Sequence, residues 1–184
     1  MNGLELEILY DYFIKIELKD GTQAHLRPIT PNDDDLMLEF FYECSEETRY
    51  LRFMTWKKSM SQEEVKMFTN IDNETNFALG SIIEFEEEEG IIRKKIIGVA
   101  RFIRDPKDPS AAEMAVVVAD KWQQKGCGSH LLLNLINIAK QKHIQWITGS
   151  LLTQNTTILN LLRKSGYKID FESYQGLISF KFKI

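Results

Sequence analysis

Hydrophobic and polar positions alternate with a period of two from Phe13 to Leu18 and again from Gln23 to Ile29. The turn signal Asp20-Gly21 lies between them, so the pattern predicts a β-hairpin. Thr30-Pro31 then opens a helix. Thr30 suits the N-cap and Pro31 the first helical position, while Asp33, Asp34 and Asp35 favour the positive end of the helix dipole. Leu36, Phe40 and Phe41 supply its apolar face. A second helix restarts at Ser45-Glu46-Glu47 and runs through Phe53, and Ser61-Gln62-Glu63-Glu64 is a capping box for a third. Two β-rich stretches follow, Phe77 to Phe85 and Ile91 to Ile103. The acidic run Glu86 to Glu89 and the basic Arg93-Lys94-Lys95 between them read as a solvated hairpin tip with cross-strand charge pairs.

The remaining pattern gives a strand from Glu113 to Val118, a helix from Gly126 to about His143 and a strand from Trp146 to Leu152. Next come a helix from Asn155 to Lys164, stopped by Gly166 at C′, and strands Tyr167–Phe171 and Leu177–Phe182. The order ββ-ααα-βββ-α-β-α-ββ implies a mixed sheet flanked by helices, with one βαβ crossover over residues 113–152.

Composition narrows the classes. A chain of 184 residues with 43% hydrophobic and 27% charged residues forms one domain with a substantial core. Its net charge of −4 argues against a nucleic-acid partner bound by phosphate neutralisation. Cys44 and Cys127 make no disulfide framework, and His25, His130 and His143 show no metal-ligand spacing. The start of the chain lacks a signal-peptide layout, and the longest apolar runs are far short of a membrane span. The expectation is a cytoplasmic protein without membrane or metal partners.

The most informative stretch is Val116-Val117-Val118-Ala119-Asp120-Lys121-Trp122-Gln123-Gln124-Lys125-Gly126-Cys127-Gly128-Ser129. A strand, a short loop and a glycine-rich helix N-terminus present unpaired N–H groups and a positive dipole end, with space for a bulky anion. Phosphate or pyrophosphate is the expected ligand. Ser129-His130 after Gly128 rules out a nucleotide P-loop, and Leu131 at the third glycine position rules out a dinucleotide fingerprint.

Gln123-Gln124-Lys125-Gly126-Cys127-Gly128 resembles the Q/R-x-x-G-x-G/A signature of the GNAT acetyltransferases, in which this loop cradles the pyrophosphate of coenzyme A. The segment from Asn155 to Gly166-Tyr167 is similar to the superfamily's N-x(10)-G-[FY] segment. The resemblance implies a GNAT fold over residues 22–184, an α/β (α+β) domain with a mixed, mostly antiparallel sheet of about seven strands, splayed at the acyl-CoA site. Residues 1–21 then form an N-terminal β extension. A narrower likeness is carried by Leu26-Arg27-Pro28-Ile29, the segment Ser45 to Phe53, Ile71-Asp72-Asn73-Glu74 before Phe77-Ala78-Leu79, and Ala112-Glu113-Met114-Ala115. These resemble the acetyltransferase domain of bacterial protein-lysine acetyltransferases that modify acyl-CoA synthetases. Many of those carry a large fused domain. Only residues 1–21 precede the domain here, so the fused forms' regulation is not expected to carry over.

The chemistry implied is acetyl transfer from acetyl-CoA to a primary amine, with a protein lysine as the first acceptor and a small amine as the second. A free lysine has a pKa of about 10.4, so supplying the neutral amine at pH 7 costs about 4–5 kcal/mol. A general base is therefore the largest side-chain demand, and Glu113 is the candidate, with apolar neighbours expected to raise its pKa. A strand N–H among Val116, Val117 and Val118 is expected to polarise the thioester carbonyl, where the family splays this strand, often through a bulge. The expected coenzyme A ligands are these three residues, Gln123 to Ser129, and Asn155, which also suits a helix N-cap. The family's usual tyrosine general acid is replaced by Leu162. Expelling a thiolate of pKa about 8.5 costs only about 2 kcal/mol at pH 7, so a missing acid is tolerable. Cys127 reads as packing rather than an acyl carrier. The aromatic residues Phe40, Phe41, Tyr50, Phe53 and Trp56 read mostly as helix core, and Trp122 as a packing anchor. Two other readings stay open. One is a silent acyl-CoA-binding module; the other is an interaction protein whose glycine turn is topology alone. Either a monomer or a homodimer is compatible with the sequence.

Overall fold

The computed structural model describes residues 12–184. Strands β1 (Ile14–Glu17) and β2 (Gln23–Pro28) form the first hairpin. After a 3-10 turn at Pro31–Asp33 come α1 (Asp34–Glu43), α2 (Glu46–Phe53) and α3 (Gln62–Thr69). The long strands β3 (Asn76–Glu88) and β4 (Ile91–Arg104) precede β5 (Ala111–Val118). Helix α4 (Cys127–Gln141), β6 (Trp146–Leu152), α5 (Thr156–Arg163), β7 (Ile169–Tyr174) and β8 (Leu177–Lys183) complete the chain. One eight-stranded sheet has the order β1-β2-β3-β4-β5-β6-β8-β7, and β5–β6 is its parallel pair. That is the predicted element order, with eight strands where about seven were expected.

Local chemistry sets the element boundaries. The Asp33 carboxylate accepts hydrogen bonds from the N–H (2.8 Å) and hydroxyl (3.0 Å) of Thr30 and pairs with both terminal nitrogens of the Arg27 guanidinium. This ties the last residues of β2 to the start of α1. Ser61 and Glu64 form the capping box of α3. At the β3–β4 tip, Arg93 pairs with Glu87 at 2.6 Å, as the charge run predicts, and Lys94 pairs with Glu84, before that run, at 3.4 Å. Gly166 is positive in φ but stands at C″, because Lys164 is the C-cap of α5.

Alternation along the central strands separates two cores. Phe77, Phe102, Met114 and Leu79 pack with Leu131, Leu135 and Leu162 under α4 and α5. Ala78, Ile82 and Ile96 pack with Phe40, Phe41 and Val65 under α1 and α3. Trp122 touches both cores and is the anchor expected of it. Trp56, expected in the helix core, is 66% exposed and stacks on Tyr50 with ring centroids 4.6 Å apart. It lies beyond the end of α2, which stops at Phe53.

Candidate active site

The site lies where β5 and β6 part. Parallel pairing covers only Ala111–Trp146, Ala112–Ile147 and Glu113–Thr148. A β-carbon on Gly149 would lie 2.9 Å from the Met114 carbonyl, so the two backbones nearly touch at that point. Beyond it, β6 continues along β8 and β5 continues along β4. The β4–β5 register runs unbroken from Gly98–Val118 to Arg104–Ala112, so no bulge on β5 produces the splay. The nearby irregularity instead falls in β4, between the pairs Ser81–Gly98 and Ile82–Ile96. The strands separate because each follows a different neighbour.

The Ala119 N–H donates to the Ile97 carbonyl at 3.0 Å, which fixes the hydrogen-bonding parity of β5. Antiparallel alternation then turns the backbone groups of Val116 and Val118 toward the gap and those of Val117 toward β4. Val116 and Val118 thus turn a strand edge to the gap, with the Val118 carbonyl taken by the Gln123 side chain, whereas Val117 contributes its side chain to a cavity on the opposite face from α4. Glu113 and Ala115 share that face, by the period-two rule. The Glu113 side chain is exposed, so the apolar enclosure expected from its chain neighbours is absent. Ala112, Met114 and the flanking residues of the other parity turn to the α4 side. On the cavity face, Glu113 stands beside Thr148 of β6 and within electrostatic range of the Arg52 guanidinium of α2.

Beyond β5, a 3-10 turn at Asp120–Trp122 leads into the glycine loop. Gln124 (φ 61°) and Gly126 (φ 94°) both adopt the left-handed region, which folds the loop back over the start of α4. The first amide of α4 with an intramolecular backbone acceptor is Ser129, which donates to Gly126 at 3.0 Å. Among the described residues, the N–H groups from Gln124 to Gly128 have no such acceptor, the arrangement that holds phosphate oxygens at helix N-termini. Gly128 packs close to α5: a β-carbon there would lie 3.4 Å from Leu161 Cδ2.

The side chains of this loop are spent on bracing. Lys125 pairs with Asp20 at 2.9 Å and lies over the Trp122 ring, and its carbonyl accepts from the Lys19 N–H. Gln123 donates to the Val118 carbonyl at 3.0 Å and to the Thr48 hydroxyl at 3.3 Å. Asp120 accepts from the N–H and hydroxyl of Ser45, both at 2.7 Å, and from the Thr48 hydroxyl at 2.9 Å. Although burial opposes it, these hydrogen bonds hold the Asp120 carboxyl below its usual range. The network pins the N-terminus of α2 to the entrance of the glycine loop. Cys127 is buried against Leu131 and the backbone of Gly98, and burial pushes its thiol up to about 11. Its thiolate is negligible at neutral pH, which removes it as an acyl carrier.

Asn155 is buried and caps α5, accepting from the Ile158 N–H at 3.2 Å. Leu162, two turns beyond Asn155, is sealed in the core and offers no proton. Sequence reading passed over three arginines. Arg49 and Arg52 of α2 and Arg101 of β4 all line the cavity. The available signal was Arg101, a lone cation inside the apolar run from Ile96 to Ile103. Among the described residues, no group of three or more His, Cys, Asp or Glu side chains could hold a metal ion. No helix there is long and apolar enough to cross a membrane.

Comparison with known proteins agrees with this geometry. A family model described as "Acetyltransferase (GNAT) domain" matches residues 24–168. The curated relative "Acetyltransferase Pat" of Mycolicibacterium smegmatis is 28% identical over 153 residues, covering 83% of this chain and 44% of that protein. This chain therefore spans less than half the length of that relative. Among solved structures, the GNAT domain of S. lividans PAT aligns with a TM-score of 0.80 at 24% identity, over 94% of this chain and 97% of that one. A Salmonella typhimurium structure, yncA with its cofactor acetyl-CoA, aligns with a TM-score of 0.63 at 17% identity, over 88% and 92% of the respective chains. Both structures share the overall fold, and the family match covers the glycine loop, β5 and α5 together: the chain belongs to the GNAT acetyltransferase family.

Proposed function

We propose that this domain moves the acetyl group of acetyl-CoA directly onto a primary amine, with the side chain of a protein lysine as the acceptor. The observation that carries this reading is one junction. The β5 edge at Val116 and Val118, the amides from Gln124 to Gly128, which have no backbone acceptor among the described residues, and the exposed Glu113 carboxylate all lie on or just after β5 where it parts from β6. The resemblance of Leu26–Ile29, Ser45–Phe53 and Ala112–Ala115 to the acetyltransferase domain of bacterial protein-lysine acetyltransferases supports the protein acceptor.

The residues present suit coenzyme A. The amides of the glycine loop would hold the pyrophosphate, and the edge of β5 would pair with the amide-containing arm as an added strand. Acetyl-CoA supplies an activated thioester. Glu113 accepts the proton of the incoming ammonium, directly or through water, which its exposed position permits. The backbone N–H of Val116 donates to the thioester carbonyl oxygen as negative charge develops there. The new C–N bond forms as the C–S bond breaks. The sulfur departs as thiolate and takes its proton from solvent, since Leu162 cannot give one.

Leu162 is also the observation that favours a second reading, a module that binds acyl-CoA without turnover. Incubation with isotope-labelled acetyl-CoA and lysine peptides, followed by mass spectrometry, separates the two. Labelled lysine is the expected result. Stabilisation by coenzyme A with no labelled amine of any kind would establish the silent module instead.

A further inference from the structure

The cavity beside Glu113 has an unusual lining for a site that takes a cationic side chain. Its walls include Met37, Phe40, Phe41, Phe53 and Phe68, and three arginines, Arg49, Arg52 and Arg101, also line it. Arg49 is 9% exposed, and its buried Nε has no hydrogen-bond partner. Its guanidinium carbon lies 4.9 Å from the centre of the Phe41 ring. Arg101 is 8% exposed and meets only the Asn76 side-chain oxygen at 3.2 Å, the Met67 carbonyl at 3.4 Å and the face of Phe68. Arg52 rests on Phe53 and lies within electrostatic range of Glu113. None of the three forms a salt bridge among the described residues, although burying an unpaired cation is costly. Burial lowers Arg52, and it brings Arg101 down to about 10 with Arg52 adding to the effect.

Apolar walls do not explain three cations, since Leu or Met would fill the same space at lower cost. An anion does explain them. Guanidinium forks match a carboxylate in geometry and charge, and a low-dielectric lining strengthens the pairing. The cavity leaves about 50 Å³ open to the centres of water molecules, room for a small polar group. Ala115 and Val117 form part of its wall, directly beside the β5 edge where the acyl group would lie.

The geometry points to a carboxylate-binding subsite formed by Arg49, Arg52 and Arg101, which selects acceptors that carry an acid group a few ångströms from the reacting amine. It deepens, and rests on, the acetyl-transfer reading of the same site. For a protein acceptor the carboxylate is an Asp or Glu near the target lysine. For a free amino acid it is the α-carboxylate.

Two measurements test it. In the first, initial rates are compared for lysine peptides bearing Glu or Gln at neighbouring positions, and for free amino acids against their carboxamides. The acid member of a pair should have a KM lower by about tenfold or more, the weight of one charge-assisted pair. Peptide pairs showing the effect assign a protein acid, and amino-acid pairs assign an α-carboxylate. Arg52→Gln should bring the ratio close to one. Arg101→Lys, which keeps the buried charge but loses the fork, should reduce it. The second measurement needs no turnover: thermal unfolding with glutarate or its diamide, with coenzyme A in excess to fill the glycine loop. Glutarate alone should stabilise the protein, and Arg52→Gln should abolish the shift. Equal KM values within every pair, with no difference between glutarate and the diamide, would overturn the subsite. If no amine is acetylated yet glutarate stabilises the parent protein and not Arg52→Gln, the subsite stands and the transfer reading falls.

Discussion

Gly149→Ala probes the hinge of the splay. A β-carbon at this position would lie 2.4 Å from Phe180 Cζ, 2.7 Å from its Cε1 and 2.9 Å from the Met114 carbonyl. Two of these contacts are with a ring that cannot retreat freely, because Phe180 is 6% exposed and stacks on Phe182 at 6.3 Å. The third is with the backbone of β5. Overpacking of this kind costs about 1–3 kcal/mol. For a domain of this length, that lowers Tm by about 2–12 °C. The strain falls at the last close approach of β5 and β6, so affinity for acetyl-CoA should fall with stability. Differential scanning calorimetry and titration calorimetry read the two effects. Phe180→Leu makes room for the new methyl group, so Gly149→Ala combined with Phe180→Leu should cost about 1 kcal/mol less than the sum of the single changes. Strictly additive losses, or an unchanged Tm for Gly149→Ala, would refute the claim that Gly149 is required for this approach.

Three further outcomes follow from particular residues. Gly126→Ala meets no atom closer than Lys19 Cγ at 3.7 Å but must hold φ at +94°; it should cost about 1–2 kcal/mol and weaken acetyl-CoA binding in calorimetry. Asp33→Asn should cost about 1.5–3 kcal/mol in urea unfolding at pH 7. Burial raises the Asp33 carboxyl but the Arg27 and Thr30 hydrogen bonds outweigh it, so the net shift is downward. The stability it contributes is therefore full above the unfolded carboxylate value near 3.9 and is lost as pH falls through the lower folded value, so parent and variant should begin to converge below about pH 4 and meet only below the folded value. Cys127, with its thiol raised to about 11 and its side chain buried, should resist iodoacetamide at pH 8 in the folded protein and react once it is unfolded in guanidinium.

The fold was legible because period, caps and turn residues agree along this chain. Ser45 and Ser61 start helices where predicted, and Trp146–Leu152 is a strand with the predicted ends. The glycine loop was legible because left-handed backbone at Gly126 leaves a composition signal. Side-chain direction was not. Gln123 and Lys125 stand among the expected coenzyme A ligands, and their side chains brace the loop through Val118 and Asp20, contacts set by parity and by a hairpin distant in sequence. The environment of Glu113 was misjudged for a related reason: its apolar chain neighbours alternate in orientation, and they bury themselves rather than it. The arginine cavity joins α2 to β4 across about fifty positions, and no local pattern announces such a meeting.

The central claim is that Glu113 takes the amine's proton during acetyl transfer. It is tested most directly by the pH dependence of kcat/KM for acetylation of a lysine peptide by the parent protein and by Glu113→Gln. The account predicts a loss of about 10²-fold or more for the variant at pH 7, narrowing as pH rises and the free amine deprotonates unaided. Equal rates for the two proteins across the pH range would contradict it.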